Sequence, residues 1–332
     1  MSIRSLFHAV KVADTAAPYD TIHLKVFYPA QVSPTLLEQS MGSVPADRHQ
    51  APFPIAILFG GINCGLESYQ WLAVKLAARG LVVVTFNWIA ENLPGMVALT
   101  PGVDLPNLAP DRYGTAPTAS ALPALLKGLQ ELNSQGVLAG LLDLERVILG
   151  GHSAGGRVAI ESANPCFYHQ VVAAFAYGAH TAAIVQLGYA PGTILPIADT
   201  LPILLIGGTC DGVIARSSDR YGVSWENATT PIERTFAAMA GGRGDRYLLL
   251  VAGANHFSIV DPVDETTGTA FLDFPATQPA AQIRALIADA IGLFIEGVND
   301  RSTASATRDD AAQPLNQLLM SDNCAIASWE QK

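Results

Sequence analysis

Short apolar runs of strand length alternate with segments of helical periodicity along most of this chain. The runs cover residues 22–28, 54–59, 81–88, 146–150, 171–177, 201–206 and 246–251, and the helical segments cover residues 66–79, 120–132, 155–163 and 278–296. This alternation is typical of a mostly parallel sheet with helices on both faces. Half of the 332 residues are hydrophobic, which is ample material for a large buried core. We therefore predict an α/β protein with one central sheet and loop insertions that form a cap.

The predicted domain covers residues 1–297, because the alternating pattern ends there. Residues 298–332 are more polar and are expected to form a loosely packed C-terminal extension. Two stretches interrupt the pattern, residues 91–117, which are rich in proline, and residues 213–245. Because loops of this length usually have a function, both are candidate cap or substrate loops.

Charge and composition exclude several classes of function. The net charge is −10, and no cluster of Lys and Arg offsets it locally, so we expect no nucleic-acid partner. No stretch is long and apolar enough to predict a transmembrane helix, so we expect a cytoplasmic protein, with peripheral association with a membrane left open. The cysteines are Cys64, Cys166, Cys210 and Cys324, and they lack the spacing of a zinc site. We expect no metal and no cofactor. The oligomeric state stays undetermined.

The strongest local signal is a G-x-S-x-G pattern between a predicted strand and a predicted helix. It consists of Gly151, Ser153 and Gly155 with one residue between each pair. In a strand–turn–helix context this pattern is a nucleophile elbow, a sharp turn that exposes the serine hydroxyl above the sheet. The glycines allow the strand and the helix to approach without Cβ clashes. The pattern therefore predicts Ser153 as a nucleophile, and the alternative is a Gly-rich turn with an inert serine.

A serine nucleophile needs a base, and His256 is the best candidate among the histidines. It follows the predicted strand at residues 246–251, and in a parallel sheet the loops after the strands gather at the edge where ligands bind. His152 adjoins Ser153, but neighbouring side chains on an elbow point apart, so we expect it to have a packing role. The alternative for His256 is an ordinary surface histidine.

The third expected member is a carboxylate that orients the histidine and stabilises its charged form. Asp211 follows the predicted strand at residues 201–206 and lies between Ser153 and His256 in the sequence. Asp261 and Asp264 compete, but they follow His256 and would require another chain order than Ser, Asp, His. The alternative for Asp211 is a residue that only forms the Asp-Gly turn.

Acyl transfer also needs hydrogen-bond donors for the developing oxyanion. The backbone N–H of Ala154, directly after the predicted nucleophile, is one candidate. The second candidate is the N–H of Ile62, in the Gly-Gly-Ile-Asn turn at residues 60–63. Cys64 lies nearby, but Ser153 holds the nucleophile position, so a cysteine mechanism is disfavoured.

The elbow, the downstream Asp and the late His together resemble the α/β-hydrolase superfamily over about residues 20–297. Three segments further resemble the chlorophyllase branch, which is related to dienelactone-hydrolase-like and platelet-activating-factor-acetylhydrolase-like esterases. They are residues 151–156 (Gly-His-Ser-Ala-Gly-Gly), residues 256–261 (His-Phe-Ser-Ile-Val-Asp) and residues 296–301 at the end of the last predicted helix. The chain departs from that branch at Gly60, Ala154 and Ser258, which stand in place of His, Arg and Asp.

The resemblance implies an α/β-hydrolase fold and a serine carboxylic-ester hydrolase without a cofactor, with chlorophyll as the substrate and chlorophyllide and phytol as products. Two alternatives stay open. One is a broad carboxylesterase, lipase-like enzyme or polyester hydrolase, and the other is a catalytically inactive hydrolase fold that only binds a ligand. Apolar residues of the two long loops are candidates to line a groove for a hydrophobic ester, although they could equally pack a cap: Leu93, Met96, Val97, Leu99, Leu105, Ile214, Tyr221 and Trp225.

Overall fold

A mostly parallel sheet forms the centre of the molecule, in a computed structural model that describes residues 2–31, 35–42, 44–93, 95–301 and 308–332. The described residues contain ten strands in this sheet. The strands are β1 (Ser2–Lys11), β2 (Thr21–Ala30), β3 (Phe53–Phe59), β4 (Val82–Leu93), β5 (Met96–Leu99), β6 (Leu142–His152), β7 (Val171–Tyr177), β8 (Ile203–Gly208), β9 (Arg246–Val251) and β10 (Ile326–Gln331). The α-helices are α1 (Leu36–Met41), α2 (Gln70–Ala77), α3 (Leu122–Ser134), α4 (Ala154–Ser162), α5 (Gly212–Arg216), α6 (Thr230–Ala238), α7 (Ala280–Arg301) and α8 (Arg308–Leu319). The predicted α/β class is confirmed at this level.

The strand order runs β1-β2-β4-β3-β6-β7-β8-β9-β10, and β5 pairs with the end of β4. The six strands from β4 to β9 in this order are parallel to one another, whereas β1, β2 and β10 pair antiparallel with their neighbours. After β3 the chain moves to one side of that strand, to β4, and then returns to its other side, to β6. The carboxyl ends of β3 and β6 therefore flank a topological switch point, which is where open α/β sheets bind ligands.

Helices cover both faces of the sheet, and the central strands are accordingly apolar on both sides. In β3, Ile55 and Ile57 belong to a core cluster with α3, α4 and α6. Ala56 and Leu58, which point to the opposite face, belong to a second cluster with α2, α7 and α8. Of the helices in the described part of the chain, none has both the length and the apolar character that crossing a membrane requires.

The structure differs from the prediction in the first long loop, residues 91–117. The strand predicted to end at residue 88 continues to Leu93 and forms a hairpin with β5, so this stretch begins as regular structure. Pro94 lies outside the described residues. We expected an irregular loop because prolines interrupt the apolar pattern of residues 91–117. Those prolines do not prevent the short β4–β5 hairpin. The predicted helix at residues 66–79 also divides, into a 3₁₀ turn at Leu66–Tyr69 followed by α2.

The C-terminal segment is the largest departure from the predicted organisation. The boundary at residue 297 falls inside α7, and residues 308–332 form α8 and β10, which pairs antiparallel with β9 in the central sheet. Leu315, Leu319 and Ala325 are buried. The described part of the segment is therefore packed on the same core rather than loosely attached. Residues 302–307 lie outside the described residues. The polar composition of this segment did not reveal this packing, because a strand joins a sheet through backbone hydrogen bonds and needs few apolar side chains.

Candidate active site

Ser153 lies between β6 and α4 with a backbone conformation that side chains rarely adopt. Its φ is 56° and its ψ is −127°, and the helix begins at the next residue. Such a conformation persists only where the surrounding packing enforces it. The side chain lies in the wall of a cavity, and no described residue hydrogen-bonds to its hydroxyl. The chain therefore holds an accessible serine hydroxyl at the positive end of a helix.

Glycines on both sides of Ser153 make this sharp turn possible. A Cβ at Gly151 would lie 2.5 Å from the backbone of Gly155, because the strand and the helix cross directly there. A Cβ at Gly155 would lie 2.3 Å from the carbonyl oxygens of Phe59 and Gly60. The N-terminus of α4 therefore packs on the backbone at the end of β3, which brings the turn after β3 next to Ser153.

Replacing Gly155 with alanine is expected to lower the free energy of unfolding by about 1–3 kcal/mol, the usual cost of overpacking. The clash is with backbone atoms, which cannot rotate away as a side chain can. Denaturant unfolding of this variant beside Gly241→Ala measures the effect. Gly241 is exposed and has open space around its Cβ position, so that control should unfold like the wild type. Equal stability of the two variants would contradict the close approach of α4 and β3.

Asp211 and His256 are adjacent, although they follow different strands. Asp211 comes after β8, and its side chain caps α5 by accepting a hydrogen bond from the Ile214 N–H at 2.8 Å through Oδ1. Its other oxygen, Oδ2, lies 2.7 Å from Nδ1 of His256, which comes after β9. The Asp211 side chain is fully buried and that of His256 is 3% exposed. Because Nδ1 faces Asp211, the opposite ring nitrogen, Nε2, is available to a group in the cavity.

The charge of Asp211 controls the protonation of His256. Burial disfavours the imidazolium, but the Asp211 carboxylate and its hydrogen bond outweigh burial and raise the pKa of His256 above its ordinary value. Ser153 and His256 both line the same cavity. The structure thus places Ser153 and His256 in the wall of one cavity, with the buried Asp211 in contact with His256, and the Ser153 hydroxyl is not hydrogen-bonded to the ring. A base and a nucleophile are often loosely aligned before a ligand binds.

The backbone amides of Ile62 and Ala154 lie beside Ser153 at the same cavity. Ala154 is the first residue of α4, and Ile62 follows the close contact between α4 and the turn after β3. Both residues line the cavity. Neither N–H donates a hydrogen bond to any described residue. Both N–H groups therefore remain available to an oxygen atom of a bound molecule.

His152 is buried behind the site, where it contacts both Tyr69 and His256. Its Nδ1 lies 2.9 Å from the Tyr69 hydroxyl, and that hydroxyl accepts a hydrogen bond from the Gly61 N–H at 2.9 Å. Its ring centroid is 4.7 Å from that of His256. Burial, followed by the charge of His256, holds the pKa of His152 well below its ordinary value, so this ring stays neutral. His152 therefore has the packing role that its place on the elbow suggests, and it ties the turn after β3 to His256.

Asp273 is a site residue that the sequence reasoning missed. Its carboxylate accepts hydrogen bonds from the Gly212 N–H at 2.8 Å and the Phe257 N–H at 3.1 Å, so it joins the turn that follows Asp211 to the turn that follows His256. Burial, and then the Asp211 charge, raise the pKa of Asp273. Nothing in its local sequence distinguishes it from the other acidic residues of the same region. Its role depends on hydrogen bonds to two turns that are distant from each other in the sequence.

A cavity of about 240 Å³ lies beside Ser153, between the turn after β3, the N-terminus of α4 and both predicted substrate loops. Leu105, from the first loop, and Ile214 and Tyr221, from the second, form part of its wall. Both loops therefore contribute to the same cavity. The lining is predominantly apolar, as in most small-molecule sites.

Other apolar residues of these loops do not line this cavity. Met96 and Val97 lie on the β4–β5 hairpin, where they are 60% and 52% exposed. Trp225 packs against Tyr221, with ring centroids 5.8 Å apart. Leu99 contributes backbone hydrogen bonds to Asn63 rather than a cavity wall, and the side chain of Leu93 lies outside the described part of the chain. The cavity is therefore formed by a smaller set of loop residues than the sequence suggested.

Comparison of the whole sequence with protein-family models gives no match, and comparison with curated proteins gives none either.

Proposed function

We propose that this protein is a serine hydrolase that cleaves carboxylic esters through an acyl-enzyme. The observation that carries the proposal is the buried Asp211–His256 hydrogen bond at 2.7 Å, in the wall of a cavity that also contains a strained, accessible Ser153. This arrangement of a nucleophile, a base and an orienting carboxylate recurs on unrelated folds and is recognised by geometry.

In the proposed reaction, the Ser153 oxygen attacks the ester carbonyl carbon and His256 Nε2 accepts the hydroxyl proton. The carbonyl oxygen becomes an oxyanion, and the N–H groups of Ile62 and Ala154 donate hydrogen bonds to it. When the tetrahedral intermediate collapses, the C–O bond to the alcohol breaks and His256 returns the proton to the departing alcohol. Water then attacks the acyl-enzyme with His256 again as the base, which releases the acid and restores Ser153. The Asp211 carboxylate stabilises the imidazolium that forms.

Several features support assignment to the α/β-hydrolase superfamily as part of this proposal. Ser153, Asp211 and His256 have the chain order of that superfamily, and the serine lies on a strand–turn–helix elbow. The proposed oxyanion donors are the residue after the nucleophile and a residue of the turn after β3, which are the positions the superfamily uses.

Chlorophyll is the second candidate substrate, because of the resemblance to chlorophyllases. The apolar lining contributed by both loops favours a hydrophobic ester. The described lining carries no feature that selects chlorophyll over other such esters, so a general ester hydrolase is the stronger proposal. Phytol release from chlorophyll a, measured beside hydrolysis of a series of p-nitrophenyl esters, decides between them.

Labelling with a fluorophosphonate probe tests the proposed nucleophile directly. The probe is expected to phosphonylate Ser153, and mass spectrometry of the digested protein identifies the modified peptide. Denatured protein is the control, because labelling requires the folded site. A chain that folds but neither reacts with the probe nor hydrolyses any ester would instead support the inactive ligand-binding alternative.

A further inference from the structure

The charged residues that line the cavity are cationic, although the chain as a whole is acidic. Arg157 and Arg220 lie in the wall together with His180, and among the described residues no Asp or Glu does. The net charge of the chain is −10. Cationic groups that line a cleft attract anions locally whatever the net charge of the protein.

Arg157 is held rigidly one helical turn after Ser153 on α4. Its Nε donates to Glu161 Oε1 at 2.9 Å, and its Nη1 donates to the Ala182 carbonyl at 2.9 Å. The side chain is only 12% exposed. Its remaining nitrogen, Nη2, donates to no described residue and is not among the buried atoms that lack a partner. The guanidinium therefore keeps a donor for the cavity while its other nitrogens fix its orientation.

His180 supplies a second donor next to this arginine. Its Nδ1 accepts a hydrogen bond from the Ala182 N–H at 3.2 Å, so the ring proton is on Nε2. Burial, and then the Arg157 charge, lower the pKa of His180 to about 3, which keeps the ring neutral at physiological pH. Its Nε2 makes no hydrogen bond to a described residue and is not fully buried. Arg157 and His180 thus offer two fixed N–H donors, which suit the oxygens of one carboxylate.

We propose that this cavity selects esters whose acyl part ends in a free carboxylate, such as monoesters of short dicarboxylic acids. The inference rests on the proposed ester hydrolysis and names its substrate class. Arg157 and His180 bind the free carboxylate, and Arg220 attracts it at the exposed rim. The carboxylate belongs to the acyl part because that part remains on Ser153 after the alcohol leaves, and Arg157 is on the same helix.

Two esters of equal length provide the test. Monoethyl adipate and ethyl hexanoate differ only in a terminal carboxylate in place of a methyl group, and NMR follows ethanol release from each. A charge-assisted hydrogen bond typically changes an equilibrium by about 10–100-fold, so kcat/KM should favour monoethyl adipate by about that factor. A wild-type enzyme that hydrolyses ethyl hexanoate equally well or better would overturn the inference.

Variants then assign the preference to Arg157. The double variant Arg157→Met with Glu161→Met removes both members of the buried ion pair, which is tolerated better than leaving one charge unpaired. Its preference for monoethyl adipate should fall by about 10–100-fold. Arg157→Lys keeps the charge but loses the planar fork, so the preference for monoethyl adipate should fall by about tenfold. This single variant provides the test if the double variant fails to fold. Arg79→Gln, at a distant ion pair with α7, should retain the wild-type preference. An unchanged preference in the Arg157 variants would refute the assignment.

Binding to Ser153→Ala separates this inference from the proposed function. Calorimetry with monoethyl adipate should detect binding to that variant, and adding Arg157→Lys should weaken the binding about tenfold. If no ester is hydrolysed but binding depends on Arg157, hydrolysis is refuted and the carboxylate site stands. If neutral esters are hydrolysed and monoethyl adipate is neither preferred nor bound, the carboxylate site is refuted and hydrolysis stands.

Discussion

Replacing Ser153 with alanine is expected to lower kcat for a reactive ester by at least about 10³-fold and by as much as about 10⁶-fold. Without the hydroxyl no acyl-enzyme forms, and only the oxyanion donors and the binding cavity remain to accelerate attack by water. The free energy of unfolding should change by less than about 1 kcal/mol, because the hydroxyl bonds to no described residue and alanine keeps the Cβ that this backbone already accommodates. Steady-state kinetics and denaturant unfolding on the same preparation measure both quantities.

Cys64→Ala is the matched control for this experiment, since Cys64 is the other potential nucleophile beside the turn after β3. A Cβ at Gly61 would lie 3.3 Å from its sulfur, so the thiol is close to the proposed oxyanion site. Burial raises the pKa of the Cys64 thiol and disfavours the reactive thiolate. We expect Cys64→Ala to keep its kcat within about tenfold of wild type. Loss of activity in Cys64→Ala and its retention in Ser153→Ala would reverse the assignment.

The parts of the fold that the sequence predicts best are the strands that are buried on both faces. The runs at residues 171–177 and 246–251 coincide with β7 and β9, because a strand covered on both sides must be continuously apolar. Strand β10 was not predicted, since it is an edge strand with exposed polar side chains and its main contribution is backbone pairing with β9. The β4–β5 hairpin was missed for a different reason, because the prolines of residues 91–117 indicated an irregular loop although β5 is itself an apolar run.

Some residues of the candidate site can be predicted from the order of the strands, whereas others are recognised only from tertiary contacts. Ser153, Asp211 and His256 each follow a strand, so sheet topology alone predicts that they gather at one edge. Asp273, Arg157 and His180 carry no such signal. Asp273 acts by joining two turns, and Arg157 is fixed beside His180 through its hydrogen bond to the Ala182 carbonyl, which is 25 residues away in the sequence. These roles follow from packing, which a single sequence does not display.

Replacing Asp211 with asparagine is expected to lower kcat/KM by about 10⁴-fold while leaving the fold intact. Asparagine has the same shape, and its oxygen can still accept the Ile214 N–H bond that begins α5. Its amide group, however, then faces Nδ1 of His256 as a donor. The histidine must place its proton on Nε2, where it cannot accept the Ser153 proton. The nucleophile therefore loses its base although every side chain keeps its position.

The pH dependence provides a second, independent signature of the same variant. In the wild type, the Asp211 charge raises the pKa of His256, so kcat/KM should fall as the pH drops through a value above the ordinary histidine pKa of about 6.5. In Asp211→Asn the burial of His256 is no longer opposed by that carboxylate, so the midpoint should move to lower pH. Asp273→Asn is the matched control: it removes a nearby carboxylate that bonds only to backbone N–H groups, and it should cost about tenfold in kcat/KM with a much smaller shift of the midpoint. If Asp273→Asn moved the profile and Asp211→Asn did not, Asp273 rather than Asp211 would be the carboxylate that governs His256.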